Sequence, residues 1–160
     1  GVCVAHGPGM GFRHILVPVD FGEPSEHAVD LALTVAARFD AQVTLLHVAW
    51  MPPYYYSAYA EGLAFPTDEM ETRARTAPDE ILAKAKARYG KVDGLLVPGL
   101  AWEKIIEAIG TTGADLVVVG THGRRGLSRV FLGSVAEKVV RHSPVPVLTT
   151  AGTHEAAPAK

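Results

Sequence analysis

Apolar positions along this chain switch between two spacings. His14-Ile-Leu-Val-Pro-Val19 is a short β-rich run. It is followed by Ala28, Leu31, Ala32, Val35 and Ala36, whose spacing predicts one buried face of a helix. Pro24 suits the first turn of that helix. The alternation then repeats. Val43–Val48 predicts a second strand, Ile81–Tyr89 a helix and Gly94–Val97 a third strand. Trp102–Ile109 predicts a helix and Leu116–Val119 a fourth strand. Leu132, Val135, Ala136, Val139 and Val140 return to helical spacing, and Val145–Thr149 predicts a last strand.

Continuous apolar strands between amphipathic helices imply a parallel sheet covered on both faces. Right-handed crossovers make it doubly wound. The expected fold is therefore a single-domain α/β protein with a five-stranded, Rossmann-like parallel sheet. Ligands of such sheets sit at the carboxyl ends of the strands, near the switch point. Asp20, His47 and Gly120 all fall at predicted carboxyl ends, so one crevice is expected to gather them.

Residues 51–78 are too long for an ordinary connection. They carry Pro52, Pro53, Pro66, Pro78, Tyr54, Tyr55, Tyr56, Tyr59 and Phe65, and are expected to be a variable loop on the ligand side. Its readings are a lid or partner surface, or an exposed loop without such a role. Residues 1–11 are expected to be a disordered leader or expression remnant, residues 12–150 the domain, and residues 151–160 a disordered tail.

The pattern Gly120-x2-Gly123-x9-Gly133-Ser134 lies between the fourth strand and the last helix. A strand, a glycine loop and a helix start are the parts of an anion site. Glycine permits positive φ and close approach of the backbone. Free N–H groups and the helix dipole favour a phosphate. The segment from Gly120 to His142 holds Arg124, Arg125, Arg129, Lys138 and Arg141 against one acid, Glu137. That local charge suits an anion.

Competing structural roles exist for each candidate. Ser134-x-x-Glu137 has the form of a capping box, with Gly133 easing the turn. The full glycine spacing favours phosphate contact, and the two roles are compatible. Asp20 suits a ribose, whose hydroxyls a carboxylate accepts, or caps the first helix. Pro18 in a central strand marks the end of regular pairing. His47 reads as a satisfied core histidine. His122 is a phosphate contact when protonated, or a solvent-facing loop residue. Arg124 clamps phosphate oxygens or is surface charge. A metal site built from His47, His122 and Asp20 is the disfavoured reading, and no side-chain metal ligands are assigned.

The 160 residues are 48% hydrophobic and 20% charged, with a formal net charge of −2, as in an ordinary globular domain. Nothing in that balance points to nucleic acid or a membrane surface. No apolar run approaches the roughly 18 residues of a membrane span. A single cysteine, Cys3, excludes an internal disulfide, and the expected location is cytoplasmic. There is no G-x4-G-K-[ST] P-loop, no G-x-S-x-G elbow and no cysteine pair for zinc.

Six ordered pieces carry a resemblance. They are Ile15-Leu-Val-Pro-Val-Asp20, Leu45-Leu-His-Val48, Ala114-Asp-Leu-Val-Val-Val-Gly120, Gly120-Thr-His-Gly123, Leu132-Gly-Ser134 and Pro144-Val-Pro-Val-Leu148. Together, from about Phe12 to Thr150, they resemble the universal stress protein family. The chain is similar to the members of that family that bind ATP through G-x2-G-x9-G-[ST]. The resemblance implies that Gly120, Gly123, Gly133 and Ser134 cradle the phosphates; His122, Arg124 and Val135 are further candidates from their place beside these residues. It implies Asp20 on the ribose, Pro18 and Val19 along the adenosine, and the backbone of Val48 at the adenine edge. Mg²⁺ or Mn²⁺ would accompany the phosphates. A homodimer through Val145–Thr149 is also implied. The implied function is a nucleotide-dependent stress-response switch, with no catalytic residue assigned. A slow ATPase and a nucleotide-independent dimerisation module are the alternatives. Gly22 departs from the serine common among relatives at that position.

Overall fold

The computed structural model describes residues 11–20, 23–50, 53–63, 79–121 and 133–151. Residues 1–10 of the expected leader and all but the first residue of the expected tail lie outside this set. The elements are β1 (His14–Pro18), α1 (Glu23–Phe39), β2 (Gln42–Trp50) and α2 (Pro53–Ala60). Helical residues 79–88 follow as α3. Then come β3 (Val92–Gly99), α4 (Ala101–Thr112), β4 (Leu116–Thr121), α5 (Ser134–His142) and β5 (Val147–Ala151).

All strand pairings are parallel, in the order β3-β2-β1-β4-β5. Alternating side chains of each strand feed two separate cores. Ile15, Val17, Val43 and Leu45 pack with Ala28, Ala32, Ala36 of α1 and Ala85 of α3. On the other face Leu16, Leu46 and Val117 pack with Ile105, Ala108 and Ile109 of α4 and Val139 of α5. The alanines on α1 let that helix lie close to the sheet. At the amino ends of the strands, the Asp115 carboxylate accepts the N–H groups of Arg13 (2.9 Å) and His14 (3.0 Å) and ties β1 to β4.

β1 is paired unequally. Its ladder to β2 runs from His14↔Gln42 to Pro18↔Leu46. The ladder to β4 covers only Ile15↔Leu116 and Leu16↔Val117. The Val19 N–H donates to the Leu46 carbonyl at 2.8 Å, so odd residues face β2 and Pro18 faces β4. Proline has no N–H to continue that ladder. Pairing to β2 runs on to Pro18, whereas pairing to β4, on the side of the switch point, already stops at Leu16.

Three expectations change. Residues 53–60 are helical, although this stretch was expected to be loop. The sequence PYYYSAYA has no single apolar stripe, and Tyr54 is 78% exposed, so helical periodicity is invisible there. The last strand begins at Val147 instead of Val145. Ser143 Oγ brackets Val145, accepting its N–H and donating to its carbonyl, and Pro146 has no N–H to offer. Val140, placed by spacing on the buried stripe of α5, is 44% exposed, because α5 is a short edge helix buried only at Ala136 and Val139.

Candidate nucleotide site

The strand order reverses between β1 and β4, and an open crevice of about 590 Å³, solvent side included, lies there. Pro18, Val19 and Asp20 from the end of β1 line it, with His47 and Val48 from β2 and Gly120 from β4. Val135 and Ala136 close one side from the first turn of α5. Ala101 and Ile105 close another from α4. Most of the lining residues are apolar, with Asp20, Ser25 and His47 as the polar side chains among them, a composition suited to a small ligand.

Strand geometry accounts for the place of Val48. Leu46 faces β1, so Val48, two residues on, turns its backbone the same way. β1 no longer pairs at that level. The edge of β2 beside Val48 therefore opens onto the crevice.

Asp20 is held by a residue that the sequence reading passed over. Ser25 Oγ accepts the Asp20 N–H at 2.7 Å and donates to Asp20 Oδ1 at 2.7 Å. Ser25 is 5% exposed, in the first turn of α1. A serine five residues after a strand-end acid, on the first helical turn, is the signal that would have found it. Ala101 and Ile105 carry no comparable signal, because the topology alone brings α4 to this crevice.

His47 is not a core residue. It is half-buried, and its Nδ1–H donates to the Val19 carbonyl at 3.0 Å. It also lines a smaller cavity on the opposite face of the sheet, so it acts as a wall between the two. It stands one residue past Leu46, the last β2 residue paired to β1, so one flank of the strand is open at its level.

α5 begins without a side-chain cap. Its N-cap is Gly133, at φ −56° and ψ 154°. The Glu137 N–H bonds the Gly133 carbonyl at 2.9 Å, which makes Ser134 the first helical residue. Ser134 is therefore not the cap of a capping box. Neither Gly120 nor Gly133 has positive φ, contrary to the conformational reading of these glycines. Of the two, Gly120 lines the crevice; Gly133 and Ser134 stand next to its lining residues Val135 and Ala136 and are not part of the lining. Gly22, His122, Gly123, Arg124, Arg125 and Arg129 lie outside the described residues. No group of three or more His, Cys, Asp or Glu residues suited to a metal occurs among the described residues. No described helix is long and apolar enough to cross a membrane.

Fold and crevice together define a doubly wound α/β domain with an open crevice at the switch point. The family model for the Universal stress protein family matches residues 11–150, and the chain belongs to that family. A universal stress protein of Thermus aquaticus is 32% identical over 86% of this chain and 97% of its own length. The solved structure of MJ0577, a universal stress protein of Methanocaldococcus jannaschii, matches with TM-score 0.73 and 26% identity, over 89% of this chain and 98% of that one. A universal stress protein solved in complex with cAMP shares the fold, with TM-score 0.66 and 24% identity over 89% and 99% of the two chains.

Proposed function

We propose that the crevice binds an adenine nucleotide, ATP, and that binding acts as a switch in a homodimeric stress-response protein. The observation that carries this reading is the convergence, on one crevice, of the Asp20 carboxylate and the uncapped first turn of α5. A carboxylate suits ribose hydroxyls, and free helix N–H groups suit phosphate. The distance between them is bridged by apolar lining suited to a base and sugar. Val48 offers backbone donors and acceptors at the base edge. Gly120 lines the phosphate end; Gly123, Gly133 and Ser134 join it by the family resemblance, and His122 and Arg124 by their charge and their place in the glycine segment. Mg²⁺ or Mn²⁺ would accompany the phosphates, as the family resemblance implies. That a related fold holds cAMP supports the class of ligand. The dimer uses the exposed edge strand β5, where Leu148 is 38% exposed.

Titration calorimetry with ATP and Mg²⁺ on nucleotide-stripped protein tests the site. Binding that Asp20→Ala weakens about tenfold or more supports it. No binding by stripped, folded protein would make the nucleotide-independent dimerisation module the better reading. The switch requires a difference in affinity between two states. Equal protease sensitivity of residues 51–78 with and without ATP would count against it.

A further inference from the structure

We propose that Ser25 is a positioning residue which fixes the Asp20 carboxylate and so sets the preference of the crevice for a ribose over a deoxyribose. This rests on the adenine-nucleotide reading above. Asp20 is exposed at the end of β1, and an exposed carboxylate has several staggered rotamers unless its neighbours select one. Ordering it at the moment of binding would cost side-chain entropy. Ser25 removes much of that freedom in advance. Its hydroxyl closes a ring with Asp20, accepting the N–H and donating to Oδ1, both at 2.7 Å. Ser25 itself is nearly solvent-free and sits on a helix, so its own position is fixed by packing.

The backbone on the other side of Asp20 is also held. The Val19 carbonyl accepts the Nδ1–H of His47, and the Val19 N–H is in the ladder to β2. The residue that would meet the sugar is thus anchored from β2 and from α1. The bond from Ser25 uses one of the acceptor sites on Oδ1. A carboxylate has about four such sites, so one bond from Ser25 does not by itself exhaust its acceptor capacity. The hydrogen bond also fixes which way those sites point. A pre-oriented acceptor gains from each ribose hydroxyl that reaches it, and gains nothing from a sugar lacking one.

The test uses the full chain, stripped of nucleotide, and three probes: ATP, 2′-deoxy-ATP and 3′-deoxy-ATP. Wild type is expected to prefer ATP over at least one deoxy probe by about tenfold. Ser25→Ala is expected to reduce that ratio to about threefold or less, with little change in affinity for the disfavoured probe. Ser25→Thr, which keeps the hydroxyl, is expected to retain more of the ratio than Ser25→Ala. If Ser25→Ala gives no cooperative melt, Ser25→Cys, whose thiol is a weak donor, is read by the same ratio. An unchanged ratio in the Ala variant overturns the proposal. If Asp20→Asn loses the ratio in that case, the ribose role of Asp20 still stands. Equal weakening of all three probes would make Ser25 a residue of the fold only, and would also overturn it. A wild type that binds ATP and both deoxy probes equally removes the ribose role of Asp20 and this proposal together.

Discussion

Gly133→Asp separates the phosphate reading from stability by sending the two in opposite directions. Gly133 sits at φ −56° and ψ 154°, an extended conformation open to any L-residue, so the change introduces no backbone strain. The first turn of α5 has no side-chain cap. An aspartate at the N-cap supplies one, worth a few tenths of a kcal/mol over glycine. Its charge at the positive end of the helix adds about 0.3–1 kcal/mol. The sum is about 0.5–1 kcal/mol, or a rise of about 1–4 °C in melting temperature for a domain of this size. The same carboxylate occupies a donor that a phosphate would use and repels the phosphate charge. At roughly 5 Å and an effective dielectric constant near 20, like unit charges repel by about 3 kcal/mol. Screening lowers this, leaving a loss of ATP affinity of about tenfold or more. A thermal melt and an ATP titration on the same sample read both effects. Higher stability with affinity unchanged within about twofold would refute phosphate binding at α5. A fall in stability would refute the described start of the helix.

Three further substitutions probe the rest of the fold and site. Ser134→Ala removes an exposed hydroxyl that caps nothing, so urea denaturation should show a change within about 0.5 kcal/mol; a loss of about 1 kcal/mol or more would restore the capping role. Asp115→Ala removes the acceptor shared by the N–H groups of Arg13 and His14, and should cost about 2–3 kcal/mol in urea denaturation. Because Asp115 lies at the amino ends of the strands, ATP affinity of the folded variant should be unchanged, and a linked loss would mean that the two ends of the sheet are coupled. Leu148→Lys places a charge on the β5 edge and should shift sedimentation equilibrium from dimer to monomer. A monomeric wild type at micromolar concentration would remove the dimer.

The strands and most helices were legible because each has its own hydrophobic period. Ala28, Ala32 and Ala36 mark the buried face of α1, and all three are fully buried. The gathering of Asp20, His47 and Gly120 at one crevice was also legible, because a doubly wound sheet places its strand ends together. What escaped was set by tertiary partners. Ser25 declares itself only through the bond to Asp20, and Ala101 reaches the crevice only because α4 crosses to β4. α2 was hidden because aromatic residues spread around a short helix leave no polar face to set against an apolar one. The start of β5 lies later than expected because Val145 has the composition of a strand, whereas its N–H and carbonyl are both bonded to Ser143 Oγ and Pro146 follows it.

The one-sided ladder at Pro18 has a kinetic consequence. The gap between β1 and β4 arises from an N–H that the chain does not possess, and no conformational change can supply it. A ligand arriving at the switch point has no ladder bond to break at that residue, and its departure allows none to form there. Entry past Pro18 therefore needs no strand-opening step at that residue.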